Sequence, residues 1–293
     1  MINMVKKYGD NKMSEHFDDI IKKYEHFDDI IKKYEHFDES NRLFVSRAKN
    51  IEFINSIFLI NKFMKDGIKI LDCSSGPGTY SLYLAKNFNC NIVSTDLVEK
   101  YIEELNVRKR KENLKGSIQT LNLNAVNLSR FKDDTFDIVL CMGAYYHLID
   151  DISRECCLKE CIRVLKKNGY LFLTYLPLSF ILKFFALNLG DNMDFNAIFS
   201  IKERKYIKHT DYFCQFTDIR YDNSREVIQV LNSLSMDIVE HMGIDGDSIL
   251  YSKKLEEMSD KDFTNYCKLV REIYSFEDTI GMSNHAMVVA RKR

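Results

Sequence analysis

The sequence predicts a doubly wound α/β protein built on a mostly parallel sheet, and three observations predict it. Short β-rich runs alternate with helical stretches, the pattern that puts crossover helices on a parallel sheet. The run FDIVLCM at 136–142 is apolar almost throughout, as a strand buried on both faces requires. The run KILDCS at 69–74 leads through a glycine-rich turn into a helix, the layout of an open sheet that binds a ligand at the carboxyl ends of its strands.

The elements follow in order. A tandem repeat comes first: EHFDDIIKKY at 15–24 recurs identically at 25–34, and a third copy begins at 35–38. Its apolar residues have helical spacing. Ten residues are not a whole number of turns, however, so each copy rotates the apolar stripe by roughly 80°. Successive copies therefore cannot all face one core. Residues 1–40 are read as a helical extension in which one copy, the last, is native to the domain. An oligomerisation arm is the functional alternative. Residues 41–293 form the second unit.

Within it, strands are expected at 69–74, 91–96, 117–124, 136–142, 170–176, 236–244 and 285–291. Helices are expected at 79–87, 97–113, 153–167, 224–234 and 260–275, with a loop at 125–135. Residues 178–219 break the alternation. They are rich in Phe and carry an amphipathic stretch, so they are read as an inserted lid.

Composition narrows the function classes. A chain of 293 residues with 45% hydrophobic side chains can bury a sizeable core. Its 42 basic and 43 acidic residues nearly cancel, which speaks against duplex nucleic acid as partner, because phosphate binding needs clustered positive charge. None of the eight cysteines forms a Cys-x-x-Cys pair. They read as reduced, buried thiols, and no metal site is expected. The first ten residues lack the apolar region of a signal peptide. The longest apolar stretch, 178–189, contains Lys183 and is too short to span a bilayer. A cytoplasmic protein is the resulting expectation.

The chemistry concentrates at Asp72-Cys73-Ser74-Ser75-Gly76-Pro77-Gly78-Thr79. A glycine-rich turn lets a ligand approach the backbone, and the helix after it presents N–H groups. The dinucleotide fingerprint fails, since Ser74 and Thr79 stand where its first and third glycines would be. An acid, Asp96, ends the second strand, where it suits a pair of ribose hydroxyls. The site therefore reads as one for an adenosine without a pyrophosphate, and a nicotinamide-dependent oxidoreductase is set aside.

These motifs resemble the class I, Rossmann-like S-adenosylmethionine-dependent methyltransferases. ILDCSSGPGTYSLYLA is similar to their first motif, FDIVLCMGAYYHL to the motif at the fourth strand, and IRVLKKNGYLFLT to the turn into the fifth. The closing HAMVVARKR resembles their last strand, which is antiparallel. Ser74 departs from the first motif glycine, and Asn168-Gly169 replaces Pro-Gly-Gly.

The resemblance implies S-adenosylmethionine as cofactor and a set of roles. Asp72 and Gly76 shape the loop, and Ser74 and Gly78 face the cofactor. Asp96 holds the ribose and Leu97 lies against the adenine. Asn124 and Ala125 contact the adenine edge, Met142 and Gly143 line the methionine end, and Arg47 is a candidate for the cofactor carboxylate. His147 and Tyr146 are the catalytic candidates. His147 is set either as a base or as a capping and packing residue, and Tyr146 over the sulfonium or in the core. His285 is a weaker candidate base.

The expected activity is methyl transfer by direct displacement to a small-molecule acceptor, apolar or aromatic given the lid's Phe180, Phe184, Phe185, Phe195, Phe199, Tyr212, Phe213 and Phe216. RNA- or protein-directed methylation and non-catalytic cofactor binding are the alternatives. The N-terminal extension and the lid are the candidate surfaces for a homodimer.

Overall fold

In the computed structural model, which describes residues 27–188, 194–211, 214 and 216–293, a continuous apolar run forms the middle of a seven-stranded sheet. β1 (Lys69–Cys73) and β4 (Phe136–Cys141) lie side by side and parallel, with Leu71 opposite Val139 and Cys73 opposite Cys141. Both strands are almost wholly buried, which is why neither alternates. β2 (Asn91–Asp96) and β3 (Ser117–Asn122) extend the sheet on one side, and β5 (Leu165–Tyr175) follows β4 on the other. β8 (Met236–Gly243) and β9 (Ala286–Lys292) complete it. The order is β3-β2-β1-β4-β5-β9-β8, and only β9 runs antiparallel to its neighbours. The strand order reverses between β1 and β4, so their carboxyl ends frame a crevice.

Helices cover both faces. α1 (Arg47–Asn61) is capped by the Ser46 hydroxyl, which accepts from the Lys49 N–H. α2 (Thr79–Asn87) starts at Gly78, and α3 (Glu99–Arg110) follows β2. The short α4 (Ala144–His147) leads into α5 (Asp151–Val164), capped by Asp150 through the Ser153 N–H. The main core lies between sheet and helices, with Ile70, Leu140, Phe172 and Val289 stacked across four strands against Leu59, Ile60 and Leu84.

The chain divides into two units, Met1–Phe37 and Asp38–Arg293. In the first, residues 27–35 are helical, covering most of the second copy of the repeat and the first residue of the third. The first copy lies outside the described residues.

All seven expected strands are present, with differences at their ends. α5 is shorter than expected because β5 begins at Leu165, ahead of the Asn168-Gly169 turn. That turn is a bulge inside β5, where the register with β4 slips between Phe136 and Ile138. Asn168 is left-handed at φ 62°. A Cβ on Gly169 would sit 2.9 Å from the Asp137 carbonyl, so the strands can approach there only with glycine.

The inserted segment has a small core of its own. It contains α6 (Leu178–Asn188), α7 (Phe195–Arg204) and a two-stranded ribbon of β6 (Tyr206–Ile207) and β7 (Ile219–Arg220). Phe185, Ile198, Ile201 and Ile207 pack with Leu176 and Tyr221. Phe195 and Phe199 are 55% and 57% exposed, and Phe180 is buried. Tyr212 and Phe213 lie outside the described residues. The segment's ends meet: Leu178 N–H donates to the Asp222 carbonyl at 3.0 Å, and Asp222 N–H to Leu176 at 2.8 Å. α8 (Ser224–Ser233) then leads to β8. Beyond β8 come α9 (Ser252–Glu256), α10 (Asp260–Ile273) and α11 (Glu277–Ile280).

Candidate cofactor and acceptor site

The turn after β1 is held open by left-handed residues. Ser74, Gly76 and Gly78 have φ of 65°, 53° and 80°. Gly78 has no alternative, because a Cβ there would fall 2.3 Å from Leu105 Cδ1 of α3. Ser74 is the departure from the motif, and its consequence is conformational. A non-glycine residue in this region carries about 1 kcal/mol or more of strain. The turns after β1 and β4 touch, since a Cβ on Gly143 would be 3.2 Å from the Ser74 carbonyl.

Asp96 ends β2 beside this turn. One carboxylate oxygen accepts the Gly76 N–H at 2.7 Å and the other the Val98 N–H at 2.9 Å. Burial pushes its pKa up to about 6 against those donors. Asp72 lies deeper. It accepts the Ser81 hydroxyl at 2.6 Å, Ser81 also meets Ser94 at 2.7 Å, and burial raises the carboxyl to about 7. Asp72 therefore braces the first turn of α2 from inside the core.

The loops after β2 and β3 are tied together: Asn122 Nδ2 donates to the Asp96 and Leu97 carbonyls, both at 2.9 Å. Asn124 closes its own turn by accepting the Val126 N–H at 3.1 Å, and Ala125 is buried beside it. Leu97 thus follows the carboxyl end of β2, Asn124 and Ala125 follow that of β3, and Met142 and Gly143 follow that of β4.

A strap before α1 borders the same turn. Glu39 Cγ is 3.4 Å from where a Gly76 Cβ would be, and Ser40 donates to Glu104 of α3. Arg42 donates to Glu39 at 2.5 Å and, bidentately, to Glu52 of α1 at 2.7 and 2.9 Å. Burial alone would raise the Glu52 carboxyl, but the Arg42 guanidinium outweighs it and holds it at about 2.

The other side is built by α4 and the last strands. Tyr146 donates to the Met142 carbonyl at 3.4 Å, and its ring meets that of His285 edge-on at 6.4 Å. Burial raises its phenol. His147 Nδ1 lies 3.0 Å from the Asp218 carbonyl in the inserted segment. Arg154 sits beneath this loop. It pairs with both carboxylate oxygens of Asp222 at 2.7 Å, donates to the Tyr145 carbonyl and stacks 3.6 Å from the Tyr145 ring centroid.

The position of Arg47 corrects one expectation. It does open α1, but its guanidinium donates to Asp260 at 2.6 Å and to the Met258 carbonyl at 2.8 Å, and it lies over the Phe263 ring. It fastens α1 to α10 rather than facing the crevice. Nearer the turn are Arg108 of α3, which donates to the Pro77 carbonyl at 2.8 Å, and Arg42 on the strap, through Glu39.

Residues 71–173 match a family model described as a methyltransferase domain. They span β1 to β5, the stretch that carries the turn, Asp96 and the α4 loop. By this match, residues 71–173 are similar to a methyltransferase domain. S-adenosylmethionine is the cofactor of such a domain.

Curated relatives of this chain include an uncharacterised protein of Haemophilus influenzae, 32% identical over 103 residues (35% of this chain, 40% of that one). One of Methanocaldococcus jannaschii is 29% identical over 140 residues (46% and 48%). The chain spans about half the length of the curated relatives it matches. Among solved structures, a SAM-dependent methyltransferase of Methanosarcina mazei superposes with a TM-score of 0.56 at 20% identity, covering 80% of this chain and 96% of that one. The cyclase SpnF superposes at 0.52 with 14% identity, covering 82% and 80%. These two likenesses speak for the fold.

The residues fit that cofactor. The buried Asp96 carboxylate is held by backbone donors that include the Gly76 and Val98 amides, and a carboxylate's remaining lone pairs suit a hydroxyl donor such as that of a ribose. The left-handed turn leaves the backbone approachable at Gly76.

Sequence reasoning missed Glu39, Arg42, Glu52 and Asp245. Their roles come from pairings between distant segments, and no local motif marks them. His285, at the start of the closing strand, was the one visible signal among this group.

Proposed function

We propose that this chain transfers a methyl group from S-adenosylmethionine to a small-molecule acceptor bound between the α4 loop and the inserted lid. The observation that carries the reading is the Asp96 carboxylate bridged between the Gly76 and Val98 amides, at the carboxyl edge of a sheet whose order reverses one strand away. Bound there, the cofactor supplies a methyl carbon already activated by its sulfonium.

The chain's own residues then position and desolvate. Asp96 accepts the ribose hydroxyls, with Leu97, Asn124 and Ala125 around the adenine. Ser74, Gly78, Met142 and Gly143 border the methionine end. Tyr146 presents an aromatic ring where cationic charge is favoured. His147 fastens the lid to the α4 loop. The lid's buried aromatics favour an apolar or aromatic acceptor. A nearly neutral chain gives nucleic acid little to hold. Among the described residues no helix is long and apolar enough to cross a membrane.

The strain at Ser74 favours one second reading, a cofactor binder without methyl transfer. The test is calorimetric titration of the purified chain with S-adenosylmethionine and, separately, with NADH. Micromolar binding of the first alone supports the cofactor. Binding accompanied by release of S-adenosylhomocysteine to any of a panel of small acceptors supports the transfer. Binding of neither ligand overturns both readings.

A further inference from the structure

Because β9 is antiparallel, its first residues arrive at the edge where the parallel strands end. His285 directly precedes it, two residues beyond Ser283 and across from Asp245, which follows β8. The pair is tightly built. His285 N–H donates to Asp245 Oδ1 at 2.7 Å, and its Nδ1 lies 2.7 Å from Oδ2. Ser283 Oγ and Asn284 Nδ2 donate to the same carboxylate, each at 3.1 Å. Asn284 Nδ2 also lies 3.0 Å from Nδ1, but it already donates to Asp245, and the shorter approach of the acceptor-only carboxylate, 2.7 Å, favours the Nδ1–H tautomer with the lone pair on Nε2.

Charged groups reach this imidazole from every side. Asp245 comes from the β8 end, and Glu52 of α1 lies 3.8 Å from Nδ1. Arg42 backs Glu52 from the strap, and Tyr146 meets the ring from α4. Burial alone would push the imidazole down, but Glu52 and Asp245 outweigh it and hold it above 6.5. Candidate ligand atoms of Glu52, Asp245 and His285 lie within 4.8 Å of one another, the spacing of a metal site. Arg42 argues against a metal. It engages both Glu52 oxygens and keeps a permanent cation where a second one would have to bind.

We propose that His285, oriented by Asp245, is the base that takes the acceptor's proton, so that the acceptor is a compound methylated at an O–H or N–H group. This rests on the methyl-transfer reading above. The acceptor's oxygen or nitrogen bonds to the methyl carbon as the carbon–sulfur bond breaks with its electron pair going to sulfur. The acceptor's proton passes to His285 Nε2, and Asp245 and Glu52 balance the imidazolium. Asp245 is a positioning residue, holding the tautomer. The sheet edge favours His285 over His147, whose Nδ1 is engaged with the lid.

The test reads the ring itself and needs no acceptor. The full chain is labelled at histidine Cε1 and titrated by NMR with S-adenosylhomocysteine and with S-adenosylmethionine, after calorimetry establishes that each binds. His285→Gln assigns the signal. If that variant does not fold, Asp245→Asn assigns it instead, as the one signal whose midpoint falls. A base facing the sulfonium titrates about one pH unit lower with the charged ligand than with the neutral one. His147, fastened to the lid, serves as the internal control and shifts less. Equal His285 midpoints with the two bound ligands, or a larger shift at His147, overturn the assignment and leave the cofactor reading standing. Failure of both ligands to bind overturns that reading, and the assignment with it.

Discussion

The two halves of the sheet are built by different means. From β3 to β4 the carboxyl edge is mostly main chain: left-handed turns, amides aimed at one carboxylate, and the Asn122 side chain tied to the Asp96 and Leu97 carbonyls of the next loop. From β5 to β8, with the lid, the edge is made of side-chain contacts between residues far apart in sequence. Arg154 and Asp222 are 68 residues apart, His147 and Asp218 are 71, and His285 and Asp245 are 40. The contrast teaches that the first half owes its shape to backbone geometry that turn chemistry supplies. The second half is a set of individual contacts, each replaceable alone.

The largest way to sharpen this contrast is Arg154→Ala. It strands Asp222 as a buried charge and cuts the ties to the α4 loop. A loss of about 3–5 kcal/mol of stability is expected, measured by denaturant unfolding. A loss under about 1 kcal/mol would mean that the pair is not buried as described.

Asp96→Ala comes next and strikes the other half. It leaves the fold intact and weakens S-adenosylmethionine binding about 100-fold or more by calorimetry, as two charge-assisted hydrogen bonds imply. Unchanged affinity would remove Asp96 from the ribose. The same carboxyl sets a pH dependence. Its folded pKa, about 6, lies above its usual value of 3.8, so it protonates as pH falls through about 6. Hydroxyl donors favour the charged form, so affinity falls with it. In the ligand-free protein the sign is opposite. The stability this group contributes is fully present below 3.8 and is lost as pH rises through about 6.

His147→Ala is a smaller step. Loss of its bond to Asp218 loosens the lid, and turnover falls about tenfold, near 1.4 kcal/mol, with cofactor affinity unchanged. Equal losses in both quantities would break the division between the halves. The smallest effect is a gain. Ser74→Gly relieves a left-handed serine and stabilises the fold by about 1 kcal/mol, seen as a Tm higher by about 2–4 °C. A lower Tm would show that the Ser74 side chain contributes more than its backbone costs.

Much of the first half was legible in the sequence. The runs KILDC, NIVSTD and FDIVLC show their burial by composition, and the spacing of Gly76, Gly78 and Asp96 needs no distant partner to be understood. The second half was legible only as strands and a lid boundary. Arg47 shows why. An arginine opening the helix before β1 is a sound local guess, yet Asp260, 213 residues away, claims its guanidinium. Ser74 was visible as an exception, but its meaning depends on φ, which no sequence position displays. His285 was visible as well. Its partner Asp245 was not, because the pairing exists only once β8 and β9 lie antiparallel.

The meeting of the lid's two ends has an evolutionary consequence. Leu178 and Asp222 are bridged as closely as the flanks of a hairpin, so the segment between them is a cassette joined to the sheet at one point. Its length can drift without stretching β5 or α8, since closing a longer loop costs little more than closing a shorter one. A cassette of another shape could therefore stand between Leu178 and Asp222 without disturbing the turn after β1 or the backbone around Asp96.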